Sequence, residues 1–111
     1  MRERDIERHL VRRVKELGGE VRKVQWIGRR GAPDRLVLLP EMRQVPGAHR
    51  LPAGVVVVCR HPAGATSVWV ELKAPGVKAK AYQLREHERM RAMGQHVEVI
   101  DSIEGVEALL S

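Results

Sequence analysis

Apolar residues near the start of the chain recur with helical spacing and predict an amphipathic helix over residues 3 to 17. They form one stripe made of Ile6, Leu10, Val11, Val14 and Leu17. Gly18-Gly19 follows directly and is a typical C-terminal stop. Glu7 lies at the edge of the stripe, and Glu3 lies one turn further back on the same face. Each can be a solvated helix residue or a carboxylate held near the core, and the spacing leaves both open.

Four later segments have the apolar pattern of core strands. Residues 20 to 27, 68 to 73 and 96 to 100 alternate between apolar and polar positions, and residues 36 to 39 form a continuous apolar run. Gly and Pro residues separate these segments and predict loops, above all the stretch GRRGAP that precedes Asp34. The pattern therefore predicts a sheet of at least four strands.

The middle of the chain is harder to place in that sheet. Residues 41 to 54 contain two prolines and are expected to be irregular, whereas VVVVC at 55 to 59 is strand-like. The simplest layout pairs residues 55–60 with residues 67–73 as a hairpin.

Two helices are predicted in the last third of the chain. Residues 79 to 93 place Leu84, Met90 and Met93 on an apolar side, and the opposite side is charged, with Arg85, Glu86, Glu88, Arg89 and Arg91. Ser102 is predicted to cap a final helix that runs through Leu110. Strands interspersed with helices in 111 residues predict one α/β domain.

The strand at 68 to 73 ends in an unusual pair of charges. Strand side chains alternate between faces, so one face takes Val68, Val70 and Leu72 and the other takes Trp69, Glu71 and Lys73. A strand buried on both faces does not carry a Glu beside a Lys near its end without a reason. The plainest alternative is an ion pair between Glu71 and Lys73 on a strand surface.

A second acidic residue, Asp34, precedes the strand at 36 to 39. Asp34 and Glu71 would then lie at the ends of neighbouring strands and converge on one Mg²⁺ ion, which prefers oxygen ligands. The backbone carbonyl of Leu72 is a further candidate ligand, and Lys73 would point at the attacking water or the phosphate. Because phosphodiester hydrolysis needs a metal to activate water and offset charge, the pattern favours a nuclease.

The charge balance favours a polyanionic partner. Twenty Lys and Arg against fourteen Asp and Glu give a net charge of +6, and counterion release makes such a chain suited to nucleic acid. Arg29 and Arg30 in the loop before Asp34 are candidate phosphate contacts, although exposed arginines are often only solvated.

Other classes of site have little support. The single Cys59 allows no internal disulfide, and no apolar run approaches a membrane span, so we expect a cytoplasmic protein without a membrane partner. The five histidines show no metal-ligand spacing. His87 lies one turn after Gln83 and could reach phosphate, but we expect it to be an exposed helix residue.

Three stretches stand in a characteristic order: RGAPDRLVLLP, then VWVELKAPG, then AYQL. Together with the first helix and Gly18-Gly19 they resemble the stand-alone VRR-NUC (virus-type replication-repair nuclease) domains of the PD-(D/E)xK superfamily. The resemblance covers residues 3 to 40 and 67 to 110. It implies a restriction-endonuclease-like α/β fold, a central mixed sheet flanked by helices, with Mg²⁺- or Mn²⁺-dependent cleavage of DNA.

The resemblance also assigns residues. Asp34 and Glu71 match the metal ligands, Lys73 the catalytic lysine, Gln83 the motif glutamine and Glu7 the helix carboxylate, with Glu3 as its rival. Members of this kind tend to be homodimers that cut branched DNA such as four-way (Holliday) junctions. The candidate DNA-binding residues are Arg29, Arg30, Arg35, Lys78 and Lys80.

Two questions stay open at this point. Residues 41 to 66 are longer than family members usually show, so we expect an insertion within a single domain of residues 1 to 111. The apolar run from Val55 to Val58 either joins a dimer interface or fills the core. The alternative function is a non-catalytic basic nucleic-acid-binding module that retains the nuclease fold.

Overall fold

Helices and strands lie largely where the apolar pattern predicts them. A computed structural model describes residues 1–40, 49–50, 56–57 and 67–111. These residues contain the helices α1 (Glu3–Glu16), α2 (Ala81–Ala92) and α3 (Ile103–Leu110). The strands are β1 (Glu20–Lys23), β2 (Arg35–Leu38), β3 (His49–Arg50), β4 (Val56–Val57), β5 (Ser67–Leu72) and β6 (Val97–Ile100).

Four strands form a mixed sheet in the order β1-β2-β5-β6. β1 pairs with β2 and β2 with β5 in antiparallel fashion, whereas β5 and β6 run parallel. The predicted hairpin between residues 55–60 and 67–73 is wrong, because β2 and β6 occupy both edges of β5. β4 pairs instead with β3, with His49 opposite Val57. The predictions of an insertion at 41 to 66 and of an interface at Val55 to Val58 lie otherwise outside the described residues.

One face of the sheet packs against α1 and α3 and forms the core. Its buried members are Ile6, Leu10, Val14, Val37, Leu39, Val68, Val70, Leu72, Ile100, Val106 and Leu110. Val68, Val70 and Leu72 share this face, as strand alternation predicts. The helical stripe is narrower than predicted, since Val11 is 43% exposed and turns away from the sheet.

The opposite face of the sheet is covered by α2, and here the sequence prediction is wrong. The buried residues of α2 are Glu86, His87 and Met90. Leu84 and Met93, predicted to face the core, are 47% and 71% exposed. The buried polar residues of α2 have partners, because Glu86 pairs with Arg29 and with Arg89 and His87 lies against Glu71. The buried face of this helix therefore does not follow its apolar residues.

The end of α1 and the start of α3 have the glycines and the capping serine that the sequence predicts. Gly18 has a φ of +86° just after α1, and Gly19 packs so closely on β2 that a Cβ there would lie 2.2 Å from the carbonyl oxygen of Leu38. The hydroxyl of Ser102 accepts a 2.9 Å hydrogen bond from the backbone N–H of Gly105 and caps α3 as predicted. Within the described residues no helix has the length and apolar composition needed to cross a bilayer.

Candidate active site

Asp34 and Glu71 lie opposite each other at one end of the sheet. The β2–β5 register pairs Arg35 with Val70, so one further step sets Asp34 across from Glu71. Strand alternation then places both carboxylates on the face covered by α2, away from the core valines. The ladder reaches Asp34 itself, because its carbonyl oxygen accepts a 2.9 Å hydrogen bond from the N–H of Val24. The strand register therefore brings the two predicted acids to the same end of the sheet.

The environment of Glu71 disfavours the ionised form of its side-chain carboxyl group. Only 9% of the residue is exposed. Burial, and after it the negative charge of Asp34, raise the pKa of Glu71 to about 7, while the nearby Lys73 ammonium acts in the opposite direction. The influence of the Asp34 charge on the pKa of Glu71 agrees with their opposed places in the β2–β5 register. A half-protonated carboxyl at neutral pH is a group prepared to exchange its proton for another cation.

His87 is a site residue that sequence reasoning missed. It was expected to be exposed, but its side chain is fully buried, and its Nε2 lies 3.6 Å from Oε1 of Glu71. Neither ring nitrogen has a hydrogen-bond partner within the described residues. Burial and the charge of Arg91 lower the pKa of His87, so its ring is neutral at physiological pH. The spacing of His87 one turn after Gln83 was the available signal, since both then share one side of α2.

Lys73 lies just beyond the end of β5. Its backbone N–H donates a 2.9 Å hydrogen bond to the carbonyl oxygen of Ile100, so the chain still follows β6 at this point. Strand alternation gives Lys73 the same face as Glu71. No ion pair joins Glu71 and Lys73, both of which belong to the described residues, so the simple surface ion pair is not what the structure forms. Leu72 lies between them with its side chain buried in the core.

Arg35 links α1 to the carboxylate end of the sheet. Its side chain is only 13% exposed. Its Nε donates a 2.6 Å hydrogen bond to Oε2 of Glu7, and its Nη1 lies 3.1 Å from Oδ1 of Asp34. Glu7 therefore reaches the site through Arg35, whereas the charge of Glu3 is a smaller cause of the raised pKa of Glu71. Arg35 was predicted to contact DNA, and in the structure two carboxylates hold its guanidinium.

The loop before Asp34 packs against the beginning of α2. A Cβ on Gly31 would lie 2.9 Å from the carbonyl oxygen of Tyr82 and 3.2 Å from Cα of Gln83. The guanidinium of Arg30 stacks 3.8 Å from the centre of the Tyr82 ring. Gln83 is thus held beside the Asp34 loop, and its Oε1 accepts a 2.8 Å hydrogen bond from the backbone N–H of Lys80.

The remaining predicted cations lie at the rim. Lys78 and Lys80 are exposed in the segment that leads into α2. Arg29 is half-exposed, and its Nη1 lies 3.3 Å from Oε1 of Glu86, which also pairs with Arg89. Burial acts to raise the pKa of Glu86, but the hydrogen bond from Arg89 and the charge of Arg29 outweigh it and hold the pKa below its usual value.

The oxygen donors at the Asp34 end of the sheet fit a hard divalent cation. Mg²⁺ is usually held by one or two carboxylates and keeps several waters. Asp34 and Glu71 supply such a pair, and a cation between them would relieve the repulsion that helps to raise the pKa of Glu71. In the part of the chain that the structure describes, no group of three or more His, Cys, Asp or Glu is arranged to hold a metal. Two carboxylates alone would leave most of the coordination shell of such an ion to water.

Comparison with known proteins gives extended similarities in sequence and in structure. No protein-family model matches the chain. The chain is 41% identical over 102 residues to a protein of Acyrthosiphon pisum secondary endosymbiont phage 1 named "Putative nuclease p44", and the match covers 92% of this chain and 85% of the phage protein. A solved structure described as "VRR_NUC domain" is 35% identical with a TM-score of 0.66, and the match covers 97% of this chain and 92% of that chain.

Proposed function

This chain belongs to the VRR-NUC family of nucleases, and we propose that it is a divalent-metal-dependent endonuclease that hydrolyses phosphodiester bonds in DNA. Its four-stranded mixed sheet with flanking helices is the restriction-endonuclease-like fold predicted from the sequence. The observation that carries the proposal is the placement of Asp34 opposite Glu71, where the charge of one carboxylate raises the pKa of the other.

Mg²⁺ or Mn²⁺ is the proposed cofactor. Asp34 and Glu71 would hold the ion, and the backbone carbonyl of Leu72 is the third proposed ligand from the chain. When bound, the ion supplies activation of water and neutralisation of charge at the phosphate. The carboxyl group of Glu71 must lose its proton to bind the ion, and with a pKa of about 7 it can do so near neutral pH.

The surrounding residues have distinct proposed roles. Lys73 places a positive charge on the Glu71 face, where it would stabilise charge that develops on the phosphate. Arg35 is a positioning residue, because it holds Asp34 from one side and Glu7 from the other. Gln83 lies beside the Asp34 loop and would contact the DNA or the attacking water. Glu3 stays the alternative to Glu7 as the helix carboxylate.

The alternative is a non-catalytic nucleic-acid-binding module on the same fold. A protein that only binds DNA gains from its net charge of +6 but has no use for a buried carboxylate facing the polyanion. Glu71 is 9% exposed with a pKa near 7, an arrangement that destabilises the metal-free fold at neutral pH. The presence of such a carboxyl group favours the catalytic function over the non-catalytic one.

We extend the proposal to the substrate and the assembly. A centre with one Asp, one Glu and one Lys cuts one strand, so resolving a four-way junction needs two centres related by symmetry. A homodimer of a single domain supplies both, with residues 41 to 66 as a proposed insertion that contributes to the interface. The preferred substrate is then branched DNA.

A cleavage assay tests the proposal. Labelled four-way junction, flap and plain duplex are incubated with the protein in Mg²⁺, in Mn²⁺ or in EDTA. We expect cleavage in both metals, none in EDTA, and faster cleavage of the branched substrates. A protein that binds all three DNAs but cuts none in either metal supports the non-catalytic alternative. Light scattering tests the assembly, and the mass of a single chain would contradict the dimer and with it the symmetric resolution of junctions.

A further inference from the structure

A small apolar pocket lies on the α2 face of the sheet, next to the two carboxylates. Its walls include Trp26, Trp69, Met90 and Met93, with Arg29 and Gln95 among the polar residues. The volume is about 230 Å³, which is below the roughly 300–1,000 Å³ of pockets that enclose drug-sized ligands. Trp26 is 36% exposed and Met93 is 71% exposed. Trp26 and Met93 therefore leave apolar surface open beside the two carboxylates, where a ligand can contact it.

The two indole rings are held in place by their own polar atoms. Nε1 of Trp26 donates a 2.8 Å hydrogen bond to the carbonyl oxygen of Pro33, and Nε1 of Trp69 donates a 3.0 Å hydrogen bond to Oε1 of Gln95. The ring centroids are 5.2 Å apart at an interplanar angle of 49°. The rings therefore form an ordered aromatic corner rather than two mobile side chains, and the partly exposed Trp26 leaves ring surface open to a ligand.

The pocket adjoins both carboxylates through the backbone. Trp69 and Glu71 are two residues apart on the same face of β5, which is about 7 Å along a strand. On the other side, Trp26 is anchored to Pro33, the residue that precedes Asp34. A nucleotide whose phosphate lies at Asp34 and Glu71 therefore has its base within reach of the two rings.

We propose that this pocket, defined by Trp26, Trp69, Met90 and Met93, takes one unstacked base of the DNA beside the cut. The proposal rests on the nuclease function given above and adds a substrate class to it. Aromatic side chains bind bases by stacking with little sequence preference, at about 1–3 kcal/mol per base. In intact duplex every base is already stacked and paired, so only an unpaired base can enter without an opening cost.

Charge at the rim supports a nucleotide over a purely apolar partner. Arg29 is half-exposed and pairs with Glu86, which also lines the pocket and pairs with Arg89. Two cations and one anion therefore lie on this side of the pocket, and the excess positive charge suits a phosphate chain. Gln95 accepts from Trp69 through its carbonyl oxygen, so the amide N–H groups of this pocket residue are left to donate to a ligand such as a base edge. The pocket thus selects DNA in which a base next to the cut is unpaired, as at a flap or a gap.

Binding in EDTA tests the pocket without cleavage. Both tryptophans of the chain line it, so quenching of intrinsic fluorescence reports its occupation by short oligo(dT) directly. Trp26→Ala should weaken binding of oligo(dT) by about tenfold or more, since removal of a stacking ring is worth that much. Trp26→Phe should bind close to wild type. The matched control is Ile27→Ala, because Ile27 is 96% exposed next to Trp26 and does not line the pocket. None of the three variants should alter the affinity for blunt duplex.

Several results separate this inference from the proposed function. Trp26→Ala that binds oligo(dT) as wild type does, or that loses duplex binding equally, overturns the pocket while leaving the nuclease proposal intact. A DNA duplex with 2-aminopurine opposite a gap should also change fluorescence on binding to wild type and not to Trp26→Ala; no change in either overturns the pocket. A wild type that cuts nothing in Mg²⁺ or Mn²⁺ but shows the Trp26-dependent loss supports the pocket and overturns the nuclease function alone.

Discussion

Nε2 of His87 lies 3.6 Å from Oε1 of Glu71, inside the contact between α2 and the sheet. The imidazole is neutral, because burial and the charge of Arg91 lower the pKa of His87. A neutral ring supports the Glu71 carboxylate sterically without cancelling its charge, as an arginine in the same place would do. The negative charge at this end of the sheet is therefore kept for a cation that arrives from solution.

The raised pKa of Glu71 predicts that the metal-free protein becomes less stable as pH rises. In the unfolded chain this carboxyl ionises near 4.5, whereas in the fold it keeps its proton up to about 7. Between these values the folded state binds more protons, so the free energy of unfolding falls with pH by at most about 1.4 kcal/mol per unit. Thermal unfolding of wild type and Glu71→Gln in EDTA measures this, and the variant should be the more stable above about pH 7. Glu104→Gln, at an exposed position on α3, should behave as wild type. Identical pH dependence of wild type and Glu71→Gln would contradict the raised pKa.

Asp34→Asn should abolish cleavage while DNA binding stays intact or becomes tighter, because one negative charge near the phosphate is removed. Calorimetry with Mn²⁺ should show a large loss of affinity in Asp34→Asn and in Glu71→Gln. Glu20→Gln is the control, since Glu20 is an exposed acid on β1. The shared-ion assignment fails if Mn²⁺ binds both site variants as it binds wild type. In Asp34→Asn the pKa of Glu71 should also move down towards its ordinary value, because the charge of Asp34 contributes to raising it.

Lys73→Ala should slow the chemical step and leave DNA affinity largely unchanged. Removal of a comparable electrostatic group in other enzymes lowers the rate by about a hundredfold or more, and we expect a similar loss in single-turnover cleavage. Lys78→Ala is the matched comparison, because Lys78 is an exposed cation in the same segment. It should weaken DNA binding and its salt dependence slightly without changing the rate at saturating DNA. A normal saturated rate in Lys73→Ala would refute the assigned role.

Arg35→Lys should lower the affinity for Mn²⁺ although the positive charge is kept. A guanidinium contacts Glu7 and Asp34 at the same time, whereas an ammonium is a point charge that cannot span both carboxylates in this geometry. Loss of a group that orients a metal ligand typically reduces metal affinity by about ten- to a hundredfold. Arg22→Lys changes an exposed arginine paired with Glu20 and should have no such effect. If Glu7→Gln and Arg35→Lys act through one contact, their effects on affinity will be less than additive in the double variant.

The sheet and the two carboxylates were predictable because their signals are local. Strand alternation alone assigns Val68, Val70 and Leu72 to the core and Glu71 to the other face, and the structure has this arrangement. Asp34 stands directly before its strand, so its place at the end of the sheet follows from the strand boundary. A two-residue period along the chain carries all of this information.

The buried face of α2 was not predictable from its own sequence. Glu86 is buried because Arg29 and Arg89 pair with it, and His87 is buried against Glu71. These partners come mostly from distant parts of the chain, so no helical period encodes them. The aromatic pocket has the same origin, since Trp26 and Trp69 meet only after β1, β2 and β5 have assembled. These tertiary contacts, and not the spacing of apolar residues along the helix, decide which face of α2 is buried.

The geometry of the site depends on Gly31, a residue without a side chain. Its φ of +86° and its contact with Tyr82 leave no room for a Cβ, whereas Gly28 and Gly76 have open space around them. In a library of random single substitutions screened for activity, position 31 should be depleted as severely as the charged residues of the site. A selection experiment would then identify Gly31 as essential although it takes part in no chemical step. The reason is that the loop can hold Asp34 next to α2 only when position 31 carries no side chain.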